Sequence, residues 1–233
     1  MPPRNAVEWH TSIAAEFDAG YRRRANFKER FSVFSELIRS HSGADKHVID
    51  LGCGAGIFAL YAAPLNAHVT GVDGSEAMIS IGRHRVAAEK LGNVEFITRD
   101  ITSLTSAEVT TADLIICSSV LEYLDDLHQA VAVIDSLLNR GGTLLVSMPN
   151  KSSIYRRLEK LAFLVCRRPR YYRFVRHVVT ADEMIALLER RNITTKRISY
   201  FSSTWMLSRL SSVELFRRWT KNLFVIVATK EMP

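Results

Sequence analysis

The chain has 233 residues, 47% of them apolar and 24% charged, and 31 Lys and Arg against 24 Asp and Glu leave a net charge of +7. That length supports one domain with a substantial core, or one domain carrying a cap. No apolar run of roughly 18 residues occurs, so a membrane-spanning helix is not expected, and Met1-Pro2-Pro3-Arg4-Asn5 lacks a signal-peptide core.

Residues 6–41 read as a helical cap. Ile13, Phe17 and Tyr21 recur at helical spacing, and Phe27, Phe31, Phe34 and Leu37 continue the stripe after a break near Gly20. Arg22-Arg23-Arg24 marks an exposed bend. Most of these apolar side chains are expected to pack on a sheet edge, with Phe17, Asp18 and Tyr21 available to close over a ligand.

The stretch Val48-Ile49-Asp50-Leu51-Gly52-Cys53-Gly54-Ala55-Gly56 reads as a buried strand running into a glycine turn. Ile57 to Ala63 then starts a helix that Pro64 stops. A strand, a glycine turn and a helix N-terminus form a nucleotide-binding unit. The glycines alone leave two cofactor classes open, because Gly54-x-Gly56-x-x-Ala59 also satisfies the loose dinucleotide pattern. Asp50 tilts the choice. A carboxylate just before the turn repels a pyrophosphate and suits a cation carrying an amino group and a sulfonium. That favours S-adenosylmethionine over NAD.

Strands and helices alternate from there. Ala67–Asp73 is a second strand; Ser75 caps a helix reaching about Lys90. Val94–Ile97 is a third strand and Ala112–Cys117 a fourth. Leu124–Leu138 is a helix ended by Asn139-Arg140-Gly141-Gly142. Thr143–Met148 is a fifth strand, cut by Pro149. This alternation predicts an α/β, Rossmann-like, doubly wound parallel sheet, with ligands at the C-terminal strand ends. That rule aligns Asp50, Asp73, Asp100 and Cys117-Ser118 along one rim. A carboxylate at Asp73 can accept both ribose hydroxyl protons. Asp100 can accept from an adenine amine while Ile101 packs on the ring.

Beyond residue 150 the charge changes sign. Residues 1–150 hold 13 Lys and Arg against 18 Asp and Glu, whereas residues 151–233 hold 18 against 6. Ile154, Leu158, Leu161, Ala162 and Val165 share a helical face beside Arg156, Arg157 and Lys160. Thr180-x-x-Glu183 is a capping box opening a helix to about Arg190. Ile193–Tyr200 is a sixth strand, Trp205–Trp219 an amphipathic helix, and Leu223–Thr229 the last strand. The basic half suggests an anionic partner: a small molecule, a lipid surface or nucleic acid. The three cysteines, Cys53, Cys117 and Cys166, lack metal-ligand spacing and fit a reducing, cytoplasmic setting.

With Val48–Gly56, Val69–Asp73, Asp100-Ile101, Asp113–Asp126 and Gly141–Met148 in this order, the chain resembles a class I S-adenosylmethionine-dependent methyltransferase. The resemblance implies a single domain with a seven-stranded sheet and an antiparallel last strand at 222–230. In it, 6–41 is a helical cap, 45–150 the cofactor-binding core and 151–220 a lid on the acceptor side. It implies cofactor contacts from Tyr21, Asp50, Gly52, Cys53, Gly54, Gly56, Asp73, Gly74, Ser75, Met78, Asp100, Ile101, Cys117, Ser118 and Tyr123. The product would be S-adenosylhomocysteine. Ser119–Leu124 is similar to the matching stretch of ubiquinone-biosynthesis and magnesium-protoporphyrin O-methyltransferases. Ser119 and Tyr123 stand where the ubiquinone enzymes carry Glu and His, leaving Glu122 alone, so no metal site is expected.

The resemblance points to methyl transfer to a small-molecule or lipid-like acceptor at oxygen. His177 is the preferred base, with Tyr123, His128 and Tyr21 as other candidates. Residues 154–176 are expected to form a lid that also touches an anionic membrane from the cytoplasmic side. The rival expectations are an RNA or protein methyltransferase using the basic half, and a non-catalytic cofactor-binding scaffold. An NAD-dependent dehydrogenase ranks behind both.

Overall fold

The computed structural model describes residues 2–202 and 214–232. Three helices, α1 (Ala6–Ser12), α2 (Ala14–Arg23) and α3 (Ala25–His41), precede the sheet. Asn5 caps α1 by accepting from the Glu8 N–H. The breaks fall at Ile13 and Arg24 rather than at Gly20. Gly20 lies inside α2, where a Cβ would come within 3.3 Å of the Phe27 ring, so this glycine admits α3 rather than bending the chain.

Seven strands follow: β1 (His47–Leu51), β2 (His68–Asp73), β3 (Val94–Thr98), β4 (Ala112–Ser118), β5 (Leu138–Pro149), β6 (Ile193–Phe201) and β7 (Leu223–Lys230). Their order is β3-β2-β1-β4-β5-β7-β6. β1 to β5 pair in parallel, while β7 runs antiparallel to both β5 and β6. The strand order reverses between β1 and β4. An open α/β sheet binds its ligand in the crevice at such a point.

Both faces of the sheet are covered, which is why β4 and β7 read as continuous apolar runs. On one face α3, α4 (Ile57–Ala62) and α5 (Glu76–Glu89) pack through Phe34, Ile38, Phe58, Ala59 and Ile79. On the other, α6 (Leu127–Leu137) and α8 (Ala181–Glu189) pack through Val131, Ile134, Met184 and Leu188. Thr180 and Glu183 form the expected capping box on α8.

α4 ends at Ala62, just before Pro64 as the sequence predicts, and a 3-10 turn, Ala63–Leu65, follows it. β5 already begins at Leu138, so Asn139–Gly142 is a bulge within a strand, with Gly141 at φ +76 and the Asn139 amide donating to Asp113. α7 (Ile154–Cys166) matches its expected span. Of the helix expected over Trp205–Trp219, α9 (Glu214–Thr220) is seen, and 205–213 lie outside the described residues.

Candidate active site

The turn after β1 holds Gly52, Gly54 and Gly56 at φ +69, +55 and +77, a left-handed region costly for other residues. The latter two serve different ends. A Cβ on Gly54 would find nothing nearer than 3.9 Å, so its face is open to a ligand. A Cβ on Gly56 would lie 2.2 Å from Cζ of Phe96, deep in the core. Gly71 and Gly82 crowd the same ring, at 2.5 and 2.9 Å.

Asp50 lies beneath this turn rather than in the crevice. It is 1% exposed, and its Oδ2 accepts from the Ala59 N–H at 3.1 Å, capping the first turn of α4. Its Oδ1 has no partner, and burial pushes its pKa up to about 7. Asp50 therefore stands apart from the ligand space and favours the neutral form, so it does not present the carboxylate expected to meet a sulfonium.

Asp73 closes β2 as expected. Its Oδ2 accepts from the Gly54 N–H at 2.9 Å and its Oδ1 from the Ser75 N–H at 2.8 Å. Each oxygen keeps a further acceptor site for a hydroxyl. Burial raises its pKa, opposed by those two amides. Asp100 Oδ1 accepts from the Thr102 N–H and hydroxyl, and Ile101 beside it is buried. Ser75 accepts from Met78 N–H and from the Thr11 hydroxyl, a cap joining α5 to α1. Cys117 is in the core, where burial holds its thiol well above the usual range.

A cavity of about 1450 Å³ opens over the turn, enough for a nucleoside cofactor and a second molecule. Of the expected cofactor contacts, Tyr21, Gly52, Cys53, Gly54, Asp73, Gly74, Met78, Asp100, Ile101, Ser118 and Tyr123 line it; Asp50, Gly56, Ser75 and Cys117 do not. Phe17 and Asp18 line it too, with Asp18 held to Arg85 of α5 at 2.6 Å. The cap thus roofs the crevice through an ion pair as well as through aromatic packing.

Of the two expected bases, His177 lies outside the cavity and Tyr123 lies in it. His177 directs its Nε2 to the Asp125 carbonyl at 3.3 Å and lines a separate shallow depression with His128. Tyr123 does line the cavity, but burial and the Glu122 carboxyl drive its pKa far up, so it keeps its proton. It can donate a hydrogen bond and not act as a base.

Three residues that sequence reasoning passed over take their place. Glu122 is 3% exposed, lines the cavity, and has an Oε2 without a partner. Burial pushes its pKa up to about 7, while Arg30 and Arg156 oppose the rise. Arg30 enters from α3 over the Phe27 ring, with its Nε likewise unpartnered. His10 of α1 donates from Nδ1–H to the Ala6 carbonyl, its ring edge-on to Phe17 and Tyr123, and burial lowers its pKa. The Glu122 signal was present, as the one acidic residue left in Ser119–Leu124; Arg30 and His10 had none, since the cap's placement decides them.

The residues fit a nucleoside sulfonium cofactor. Gly54 leaves an open backbone face, Asp73 offers two oxygens, and Ile101 and Met78 supply an apolar wall. Comparison with known proteins agrees. A methyltransferase-domain family model matches residues 42–203. Over 107 residues the chain is 34% identical to ubiquinone biosynthesis O-methyltransferase of Coxiella burnetii, covering 46% of this chain and 45% of that protein. The match thus spans about half the length of this curated relative. N-methyltransferase NodS of Bradyrhizobium japonicum, solved with S-adenosyl-L-homocysteine, superposes with a TM-score of 0.70 at 19% identity, over 98% of this chain and 100% of that one. Magnesium protoporphyrin IX methyltransferase of Synechocystis gives 0.71 at 18%, over 97% of each. At such identities these two share the fold. The chain belongs to the methyltransferase-domain family, in the class I S-adenosylmethionine-dependent group.

Proposed function

We propose that the chain transfers a methyl group from S-adenosylmethionine to an oxygen of a small-molecule or lipid-like acceptor. The observation that carries this reading is the Glu122 carboxyl, buried with a free oxygen, in the same cavity as the Gly54 and Asp73 cradle. The curated relatives' name, an O-methyltransferase, supports oxygen as the accepting atom.

S-adenosylmethionine supplies a methyl group already activated by its sulfonium. The protein's work is then alignment and proton removal. Asp73 would take the ribose hydroxyls, Ile101 and Asp100 the adenine, and Gly54 and Ser118 the methionine end. In the remaining space, Glu122 would accept the proton of an acceptor hydroxyl, whose oxygen would take the methyl group that the bound cofactor supplies, with the thioether product leaving. Arg30 and Arg156 favour the carboxylate form that can do so. Tyr123 donates to the acceptor and cannot compete for its proton.

The test is methyl transfer from isotopically labelled S-adenosylmethionine to four pools: extracted metabolites, extracted lipids, bulk tRNA and bulk protein. Label in either of the first two supports the proposal. Label confined to tRNA or protein replaces the acceptor class. Cofactor binding without label in any pool leaves a scaffold.

A further inference from the structure

Helix α7 is mounted with its polar face inward. Arg156 and Glu159 are 13% and 5% exposed at their side chains, and each bonds the Tyr171 hydroxyl. Arg156 also donates to the Asn222 carbonyl at 3.2 Å. The opposite face is apolar and bare: Ile154, Leu158, Leu161 and Val165 are 47%, 54%, 58% and 74% exposed. At helical periodicity these four fall within an arc of roughly 60° centred opposite Arg156. α9 packs on α7 and adds Phe216 and Trp219, both about half exposed. Among the described residues nothing covers this stripe, and a contiguous apolar patch of that kind marks a contact surface.

Charge decides between occupants. Arg157 and Lys160 flank the stripe, Arg167 and Arg168 end it, and Arg217 stands beside Phe216, all exposed. The one acidic residue of α7, Glu159, is buried. A second copy of the chain would bring the same cations to the same place, and like charges oppose that pairing. An anionic lipid surface complements both parts: cations meet headgroups, apolar side chains enter the acyl boundary, and Trp219 suits the level between them.

We propose that α7 and α9 dock the protein on an anionic phospholipid bilayer. The inward side of α7 borders the cavity through Tyr155, Arg156 and Glu159, so docking holds the cavity about one helix diameter from the membrane. A lipid-like acceptor would enter from that side, a point that rests on the proposed function; the docking itself does not.

Co-sedimentation of the full chain with vesicles tests it, using phosphatidylcholine alone and phosphatidylcholine mixed equally with phosphatidylglycerol. The wild type should sediment with the mixed vesicles, weaken with added salt, and remain mostly free of phosphatidylcholine alone. Leu158→Asp with Leu161→Asp should lower affinity about tenfold or more for the pair, since each buried leucine carries that order of partitioning. Both side chains already face solvent, so thermal unfolding and S-adenosylhomocysteine binding should be unchanged. Equal sedimentation of wild type and variant, or none by the wild type, overturns the proposal. So does a concentration-dependent dimer that Leu161→Asp dissolves, which would assign the surface to a second copy. Since no arm reads methyl transfer, failure here is distinct from failure of the acceptor assignment.

Discussion

The backbone N–H of His177 donates to the carbonyl oxygen of Glu122 at 3.2 Å, beside a 2.7 Å bond from the Arg176 N–H to the same oxygen. The chain past α7 therefore straps the Glu122 backbone, while the histidine ring leaves toward Asp125 and the carboxyl stays in the cavity. Glu122→Gln should lower turnover by roughly 10²- to 10⁴-fold, the usual loss for a positioned base, with cofactor affinity by calorimetry unchanged. His177→Ala should leave turnover at the wild-type level. The wild-type rate should rise with pH through about 7, and the glutamine variant should lack that limb. Wild-type turnover in Glu122→Gln removes the carboxyl from the mechanism.

Stability should fall as pH rises across the same range. Glu122 and Asp50 move from ordinary values of 4.5 and 3.8 to about 7 in the folded chain. The native state thus binds more protons than the unfolded one between those limits. Their contribution is fully present below the unfolded values and is lost as pH rises through about 7, roughly 3 kcal/mol for Glu122 and roughly 4 kcal/mol for Asp50. Denaturation midpoints should be lower at about pH 8 than at about pH 5. Glu122→Gln and Asp50→Asn should each flatten that difference, and a wild-type slope in both variants would place the sensitivity elsewhere.

Asp73→Ala should weaken S-adenosylhomocysteine binding by roughly 1–3 kcal/mol, because it leaves hydroxyls and the Gly54 and Ser75 amides without their acceptor. Titration calorimetry reads this directly. Unchanged affinity would mean the ribose is held by other groups.

Alanine at the two glycines should separate packing from binding. Gly56→Ala meets both a left-handed backbone and the Phe96 ring, and should cost roughly 2–5 kcal/mol of stability. Gly54→Ala meets the backbone penalty alone, about 1–2 kcal/mol, but its methyl enters open cavity and should reduce cofactor affinity more than stability. Thermal unfolding alongside calorimetry distinguishes the two, and equal stability losses would contradict the assignment.

The sheet and its rim were readable because their signals are local. Val48–Leu51 and Ala112–Cys117 are apolar runs of strand length, and Ser75 and Thr180 are caps whose partners lie three residues on. What failed was direction. Periodicity identified the apolar face of α7 but not which face the body takes, and the Arg156–Glu159–Tyr171 cluster settles that over a span of 15 residues. His177 likewise carries no local mark of where its ring points. Gly141-Gly142 reads as a turn by composition, yet Lys230 of β7 donates to the Leu138 carbonyl at 3.1 Å and helps keep that segment in the sheet.

Phe96 occupies the hollow that Gly56, Gly71 and Gly82 leave, one glycine each from the cofactor turn, β2 and α5. The turn is therefore not a portable sequence. Grafted onto another scaffold, residues 52–56 would lack the ring that fills the space under Gly56, and their left-handed backbone would stand over a void. A working transplant has to carry β3 with it, so the smallest transferable unit is the four-part set around one benzyl side chain.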